Sequence, residues 1–310
     1  MSLEKIYRGP ADPATPKELG QWLEAPPPWR DHRDQPAVER EVPSDPSAER
    51  RGKTYVSSGD DEVDRVNLAL WLRRPLLVTG PPGIGKSSLA YGIAESLGLG
   101  APLRWEINSQ STLREGLYNY DAVAHFQATR SAGKEDVAAS EFIRLGPLGT
   151  SFVPTALPRV LLVDELDKAP WDLPNDLLHI LEEAAFTIPE VARQEVPGTV
   201  QLDDSVTSTD RVALDGARVR VRHHPVVVIT SNAEREFSNA FRRRCVALRM
   251  SELDPGRLAA VVRSQLGDVA DLDSRLSEMG EMETDIVLQA LYAMSHGADL
   301  GDVRDILRRT

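Results

Sequence analysis

The sequence predicts an α/β fold: a parallel sheet sandwiched by helices, followed by a small all-helical lid, with an extended proline-rich N-terminal arm ahead of both. Two observations carry this. Between residues 61 and 250, short aliphatic runs alternate with helical patterns, which is the signature of a parallel sheet covered on both faces. After residue 250 the strand signal stops and only helical periodicity remains.

In chain order, residues 1 to about 58 are rich in Pro, Asp, Glu and Arg, as in "APPPWRDHRDQP" (25–36), and show no sustained period. Two readings stay open for this arm: a solvated tail, or a stiff polyproline segment that Trp22 and Trp29 anchor on a neighbouring surface. "DEVDRVNLALWLRR" (61–74) places Val63, Val66, Leu68 and Leu70 or Trp71 on one side of a helix, and "PLLVTG" then reads as a buried strand. There follow a helix over 86–97, a strand over 104–108, a variable stretch over 111–158, a strand over 160–164, a helix over 172–185, a polar stretch over 187–224 and a strand over 226–231. In the second polar stretch, "DRVALDGARVRVR" (210–222) predicts a hairpin turning at Asp215-Gly216, with Val219 inward and Arg218, Arg220 and Arg222 outward. "PGRLAAVVRSQLG", "METDIVLQALYAM" and "LGDVRDILRRT" supply the helices of the lid.

Composition narrows the function. A 310-residue chain with 41% hydrophobic residues has enough apolar material for a large core, and a net charge of −12 argues against wrapping nucleic acid or coating an anionic membrane. Cys245 is the single cysteine, which excludes an internal disulfide and fits a reducing, cytoplasmic setting. No apolar run of about 18 residues occurs, so no membrane span is expected.

Four segments carry chemistry. "GPPGIGKSS" fits G-x-x-x-x-G-K-[ST] at every fixed position and lies between a buried strand and a helix, as a phosphate loop requires. Its residues Gly80, Pro81, Pro82, Gly83, Ile84, Gly85, Lys86, Ser87 and Ser88 are the candidate nucleotide cradle. Backbone N–H groups turn toward the phosphates, Lys86 reaches the β/γ-phosphates and Ser87 can hold Mg²⁺. In "RVLLVDELDKAP" a strand apolar enough to be buried ends in Asp164 and Glu165. Beside a phosphate loop that pairing has a use: Asp164 joins the metal shell and Glu165 polarises water for attack on ATP, the alternative being a solvated strand end. "PVVVITSNAEREF" ends a third aliphatic run in Asn232, whose amide can bond both the γ-phosphate and the attacking water. "AFRRRC" clusters Arg242, Arg243 and Arg244, either a basic surface or an arginine finger offered to a neighbouring subunit. No N-K-x-D, H-R-D or H-E-x-x-H segment is present, so guanine-reading switches, protein kinases and zinc proteases are not indicated.

Together these segments make the chain resemble the P-loop NTPases of the AAA+ group, specifically the MoxR-like ATPases, over residues 61–310. "GPPGIGKSS", "GPLGTSFVP", "LLVDELDKAP", "TSN", "FRRRC" and "VRDILRR" stand in that family's order. The resemblance implies an arm over 1–60, an α/β nucleotide-binding domain over 61–250 and a helical lid over 251–310. It also implies ATP and Mg²⁺ as ligands, Asn232 as first sensor, Arg244 or its neighbour Arg243 as finger, and Arg304 as second sensor. In the same frame 115–150 is an insertion, and the arginines of the 210–222 hairpin either face solvent or line a central pore. A ring, a hexamer, remodelling a protein client is the expected assembly; a nucleotide-gated scaffold or switch with slow hydrolysis is the alternative.

Overall fold

The computed structural model describes residues 4–132, 137–193, 198–207, 209–214, 216–279 and 284–296. The arm contributes α1 (Pro16–Glu24) and α2 (Pro46–Lys53) before α3 (Asp60–Leu72). The α/β part then runs β1 (Leu76–Thr79), α4 (Lys86–Leu97), β2 (Leu103–Glu106), α5 (Leu113–Leu117), β3 (Tyr118–Tyr120), α6 (Ala122–Ala132), β4 (Ile143–Leu145) and α7 (Pro147–Ser151). It continues through β5 (Val160–Asp164), α8 (Leu173–Glu183), β6 (Ala185–Thr187), α9 (Pro189–Ala192), β7 (Gly198–Gln201), β8 (Arg211–Leu214) and β9 (Arg218–Arg220). Last come β10 (Val226–Ser231), α10 (Asn239–Arg244), β11 (Val246–Arg249) and the helices α11 (Pro255–Leu266), α12 (Leu272–Met279) and α13 (Thr284–Ser295).

The central sheet has the order β11-β1-β10-β5-β2, and every pairing in it is parallel. Alternate residues of its strands point to opposite sides, and both sides are apolar. Leu76, Val78, Leu162 and Val228 join Leu89 and Ile93 of α4 on one face. Leu77, Leu161, Val163 and Ile229 join Leu177 of α8 and Phe241 of α10 on the other. A strand buried on both faces has no place for a polar residue without a hydrogen-bond partner, which is why β1, β5 and β10 read as aliphatic runs up to their C-terminal ends, where Asp164, Thr230 and Ser231 are buried. On α3 the buried side is Val63, Val66 and Leu70, with Leu68 and Trp71 only partly covered.

The stretches on either side of β5 build two further sheets, one of order β3-β4-β7-β8 and a β6-β9 pair. Asp215 of the expected hairpin turn lies outside the described residues, and the described strands on either side of it do not pair with each other. β8 pairs antiparallel with β7, and β9 pairs antiparallel with β6. The chain does turn there, through Gly216 at φ +75°, but the two flanking strands leave for different partners. The expected alternation holds on β9, where Val219 is buried and Arg218 exposed.

The arm runs over the surface of the domain, and it contains more structure than its composition signals. A Thr15–Glu18 capping box starts α1, and the Asp45 side chain caps α2. Trp22 is 1% exposed, with its indole N–H donating to Leu70 O and the Arg73 guanidinium 3.7 Å from its ring centroid; Trp29 is 74% exposed. So Trp22 is an anchor and Trp29 is not. Further along, Arg222 donates to the carbonyls of Arg33 and Gln35, Arg220 to His32, and Val38 bridges to Thr155. Arg40 is clamped between Asp204 and Asp210, beside Arg159. The hairpin arginines Arg220 and Arg222 are thus engaged with the arm.

Helices α11 to α13 enclose a small core of their own around Val262, Val287 and Leu291. They meet the arm where Ser264 donates to Thr54 O and Arg257 to Val56 O. Among the described residues no helix is long and apolar enough to cross a membrane.

Candidate functional site

The phosphate loop leaves β1 and opens α4, as its spacing requires. Gly83 and Gly85 have φ of 75° and 91°, a region that disfavours a side chain, and the space beyond the Gly85 Cα is open to an approaching group. Gly80 sits so close to Met250 O and the Ile84 side chain that a Cβ would meet them at 2.4 and 2.7 Å. α4 starts without a side-chain cap, which leaves its N-terminus available to an anion.

Lys86 is the first residue of α4, and its ammonium donates to Gly80 O, Pro81 O and Asn232 Oδ1 at 2.9, 2.6 and 2.7 Å. Burial pushes its pKa down, opposed by the charges of Asp167, Asp164 and Glu165. Ser87 donates to Asp164 Oδ1 at 2.7 Å, and Thr230 of β10 donates to the same oxygen at 2.7 Å. Arg104 of β2 holds the other oxygen, with Nη2 at 3.0 Å. Burial raises the Asp164 pKa, yet the hydrogen bonds from Ser87, Thr230 and Arg104 outweigh it and leave the carboxyl below its ordinary value.

Glu165, at φ 60°, donates its N–H to Thr230 Oγ1, and its carboxylate pairs with Lys168 at 2.7 Å. The sheet order explains the convergence: β10 lies between β1 and β5, so Asn232 comes off the sheet between the phosphate loop and the acidic pair. The structure therefore brings together Lys86, Ser87, Asp164 and Asn232, with Glu165 adjoining, while Ser88 accepts from Arg51 of the arm at 3.0 Å.

The arginine cluster stands apart. Arg244 pairs with Glu182 on α8 at 2.7 Å and the carbonyl of Arg243 accepts from Arg74; none of the hydrogen bonds or ion pairs of Arg243 and Arg244 reaches the phosphate loop of the same chain. Arg304 lies outside the described residues.

Three residues of this neighbourhood were not singled out from the sequence, Arg104, Asp167 and Arg51, while Thr230 stands out there only as part of the polar end of its strand. Thr230 carries a readable signal, a polar residue ending an aliphatic strand. Asp167 has one too, as the third acid of "DELD", and its Oδ2 accepts the N–H groups of Asn232 and Glu234. Arg104 and Arg51 are brought in by packing, and nothing local marks them.

The donor set fits Mg²⁺ carried by a triphosphate. Its oxygens are a hydroxyl and a carboxylate side by side, and among the described residues no group of three or more His, Cys, Asp or Glu forms a protein cage; Mg²⁺ bound with nucleotide uses one or two side chains plus phosphates and water. The cavity beneath Trp22 and Arg73, about 10 Å³, lies away from the phosphate loop.

No curated protein matches the chain. Among solved structures, an ATPase candidate from Cytophaga hutchinsonii aligns at 15% identity and a TM-score of 0.37, over 70% of this chain and 52% of that one. The chain thus spans about half the length of that protein, a likeness too slight to bear on function. A family model is more telling: the AAA domain of the dynein-related subfamily matches residues 75–245, from the strand before the phosphate loop through the arginine cluster. That match covers more than half of the chain and contains every converging side chain except those of the arm, and the chain belongs to the AAA domain family.

Proposed function

We propose that this protein is a MoxR-like AAA+ ATPase that binds and hydrolyses ATP with Mg²⁺. One observation supports this most: Lys86 bonds Asn232 while Ser87 and Thr230 share Asp164, so loop, acidic strand and sensor strand form one hydrogen-bonded unit with Glu165 beside it. Lys86 and the N-terminus of α4 take the β/γ-phosphates. Ser87 and Asp164 are the residues that would hold Mg²⁺, whose chemistry there is to neutralise charge developing on the phosphate oxygens. Glu165 accepts a proton from the attacking water as general base, and Asn232 orients that water against the γ-phosphate.

Arg244, or Arg243 beside it, serves as the finger to the next subunit. Its location on α10, away from its own phosphate loop, suits action in trans and hence a ring, a hexamer in the family's usual form. Residues 251–310 act as a lid carrying Arg304 as second sensor, residues 61–250 as the catalytic domain and residues 1–60 as the arm. Hydrolysis moves the lid against the domain to remodel a protein client in the cytoplasm.

Light scattering of Glu165→Gln, with and without ATP and Mg²⁺, tests the assembly. A mass of about six subunits supports the ring, and a monomer throughout favours a nucleotide-gated switch. That second reading has its own support, since Arg104 on Asp164 and Lys168 on Glu165 neutralise both carboxylates from within the chain, which suits slow basal turnover. In mixtures, Lys86→Ala subunits, which keep the finger, restore turnover to Arg244→Ala subunits if the finger works in trans; no rescue removes that model.

A further inference from the structure

Arm helix α2 lies directly on α4, the helix that the phosphate loop opens. The fit is close: a Cβ on Gly52 would meet Tyr91 O at 2.7 Å and Glu95 Cβ at 2.8 Å, so only glycine lets the two backbones approach this far. This contact fixes the neighbouring Arg51. Its guanidinium stacks on the Tyr91 ring, 4.2 Å from the centroid, and its Nε donates to Ser88 Oγ at 3.0 Å.

Several arginines of the arm are paired with carboxylates, although Arg30 donates to the carbonyls of Leu181 and Glu182 instead. Arg8 pairs with Glu18, Arg33 with Asp31, and Arg40 with Asp204 and Asp210. Arg51 has no carboxylate partner among the described residues, and neither of its terminal nitrogens makes a hydrogen bond there. A cation whose planar donor fork is unpartnered among the described residues, packed against the first turn of a helix whose N-terminus carries no side-chain cap, is placed to take an anion.

We propose that Arg51 is a phosphate-binding residue of the nucleotide site, supplied by the arm and directed at the α/β end of the polyphosphate. The proposal rests on the nucleotide reading of the phosphate loop given above. The choice of phosphate follows from position. Lys86 and Ser87 serve the γ-phosphate side and the metal, whereas Ser88, one residue further into α4, carries Arg51, on the part of the loop whose backbone cradles the α/β-phosphates. The arm is then a working wall of the site, and nucleotide binding and arm docking stabilise each other.

Fluorescent ADP and ATP titrations of the full chain test this with Arg51→Ala, Arg51→Gln and Arg51→Lys, each also melted without nucleotide. Loss of a charge-assisted contact to a phosphate predicts about tenfold weaker binding of both ADP and ATP for the Ala and Gln forms. Arg51→Lys should recover part of it, and nucleotide-free melting should stay within about 2 °C of wild type. Binding of ADP within twofold of wild type in Arg51→Ala would overturn the proposal. So would loss confined to ATP, or weakening that tracks a lowered nucleotide-free melting temperature in all three forms. Lys86→Ala separates the two layers: if it keeps full ADP affinity, the phosphate-loop reading itself fails, whatever Arg51 does.

Discussion

Replacing Trp22 by Ala asks whether the arm is part of the fold or a passenger on it. The indole is 1% exposed among Val66, Leu70 and Ile93, and emptying such a place costs about 3–5 kcal/mol. Two further terms pull in opposite directions. The hydrogen bond to Leu70 O adds little, because that carbonyl also accepts from Arg73 Nη1 and is not orphaned, so its loss is worth about 1 kcal/mol or less. Arg73 loses the ring beneath it, worth up to about 2 kcal/mol, but water entering the gap rehydrates a guanidinium whose burial now holds its pKa below the ordinary value. These offset, and the net is about 4 kcal/mol. With an m-value of about 3 kcal/mol/M the urea midpoint falls by about 1.3 M, read by far-UV circular dichroism so that the lost tryptophan does not alter the signal. Trp29→Ala, at a 74% exposed position, should move it by less than about 0.2 M. A drop below about 0.3 M for Trp22→Ala, or equal costs at the two tryptophans, would refute the reasoning.

Three other perturbations follow from the same contacts. Arg220→Ala combined with Arg222→Ala removes the donors to His32, Arg33 O and Gln35 O and should speed proteolytic cleavage within residues 31–36 severalfold; unchanged cleavage would mean that the arm is held without them. Gly149→Ala would put a Cβ 1.9 Å from Leu117 O, a backbone atom that cannot yield, so it should unfold or precipitate the protein, whereas Gly216→Ala, with open space but φ +75°, should cost about 1 kcal/mol. Burial pushes His224 down to about 2 and His223 to about 4, against about 6.5 in an unfolded chain. Below pH 6.5 the unfolded chain takes up protons that the folded one refuses, so stability is full above that pH and declines as pH falls toward 4. Urea midpoints at pH 7 and pH 5 check the sign; a rise at pH 5 in wild type that His224→Gln abolishes would contradict it.

What the sequence displays depends on whether the cause is local. β1, β5 and β10 are apolar on both faces and short, and the phosphate loop and the strand-end acids stand at fixed distances from them, so these could be read directly. β11 escaped notice because it is an edge strand that pairs with β1 alone, with Ala247 and Arg249 in the open on one side. At Gly216 the local signal for a turn is genuine, but partner choice is settled by β6 and β7, which lie outside that segment. The arm's prolines conceal two capped helices, because what orders them is a surface formed by α3, α4, α8 and the 218–222 segment. In the site, Thr230 and Asp167 could be found by position, while Arg104 and Arg51 enter through strand pairing and helix packing that no linear pattern encodes.

The most direct test of the account is single-turnover hydrolysis of ATP, with Mg²⁺, by the wild type and by Glu165→Gln, with nucleotide binding measured on the same samples. The account predicts that both bind ATP within a few-fold of each other and that Glu165→Gln loses turnover by at least about 100-fold, the share a positioned general base supplies. Hydrolysis by Glu165→Gln at the wild-type rate, or a wild-type protein that binds no ATP, would contradict it.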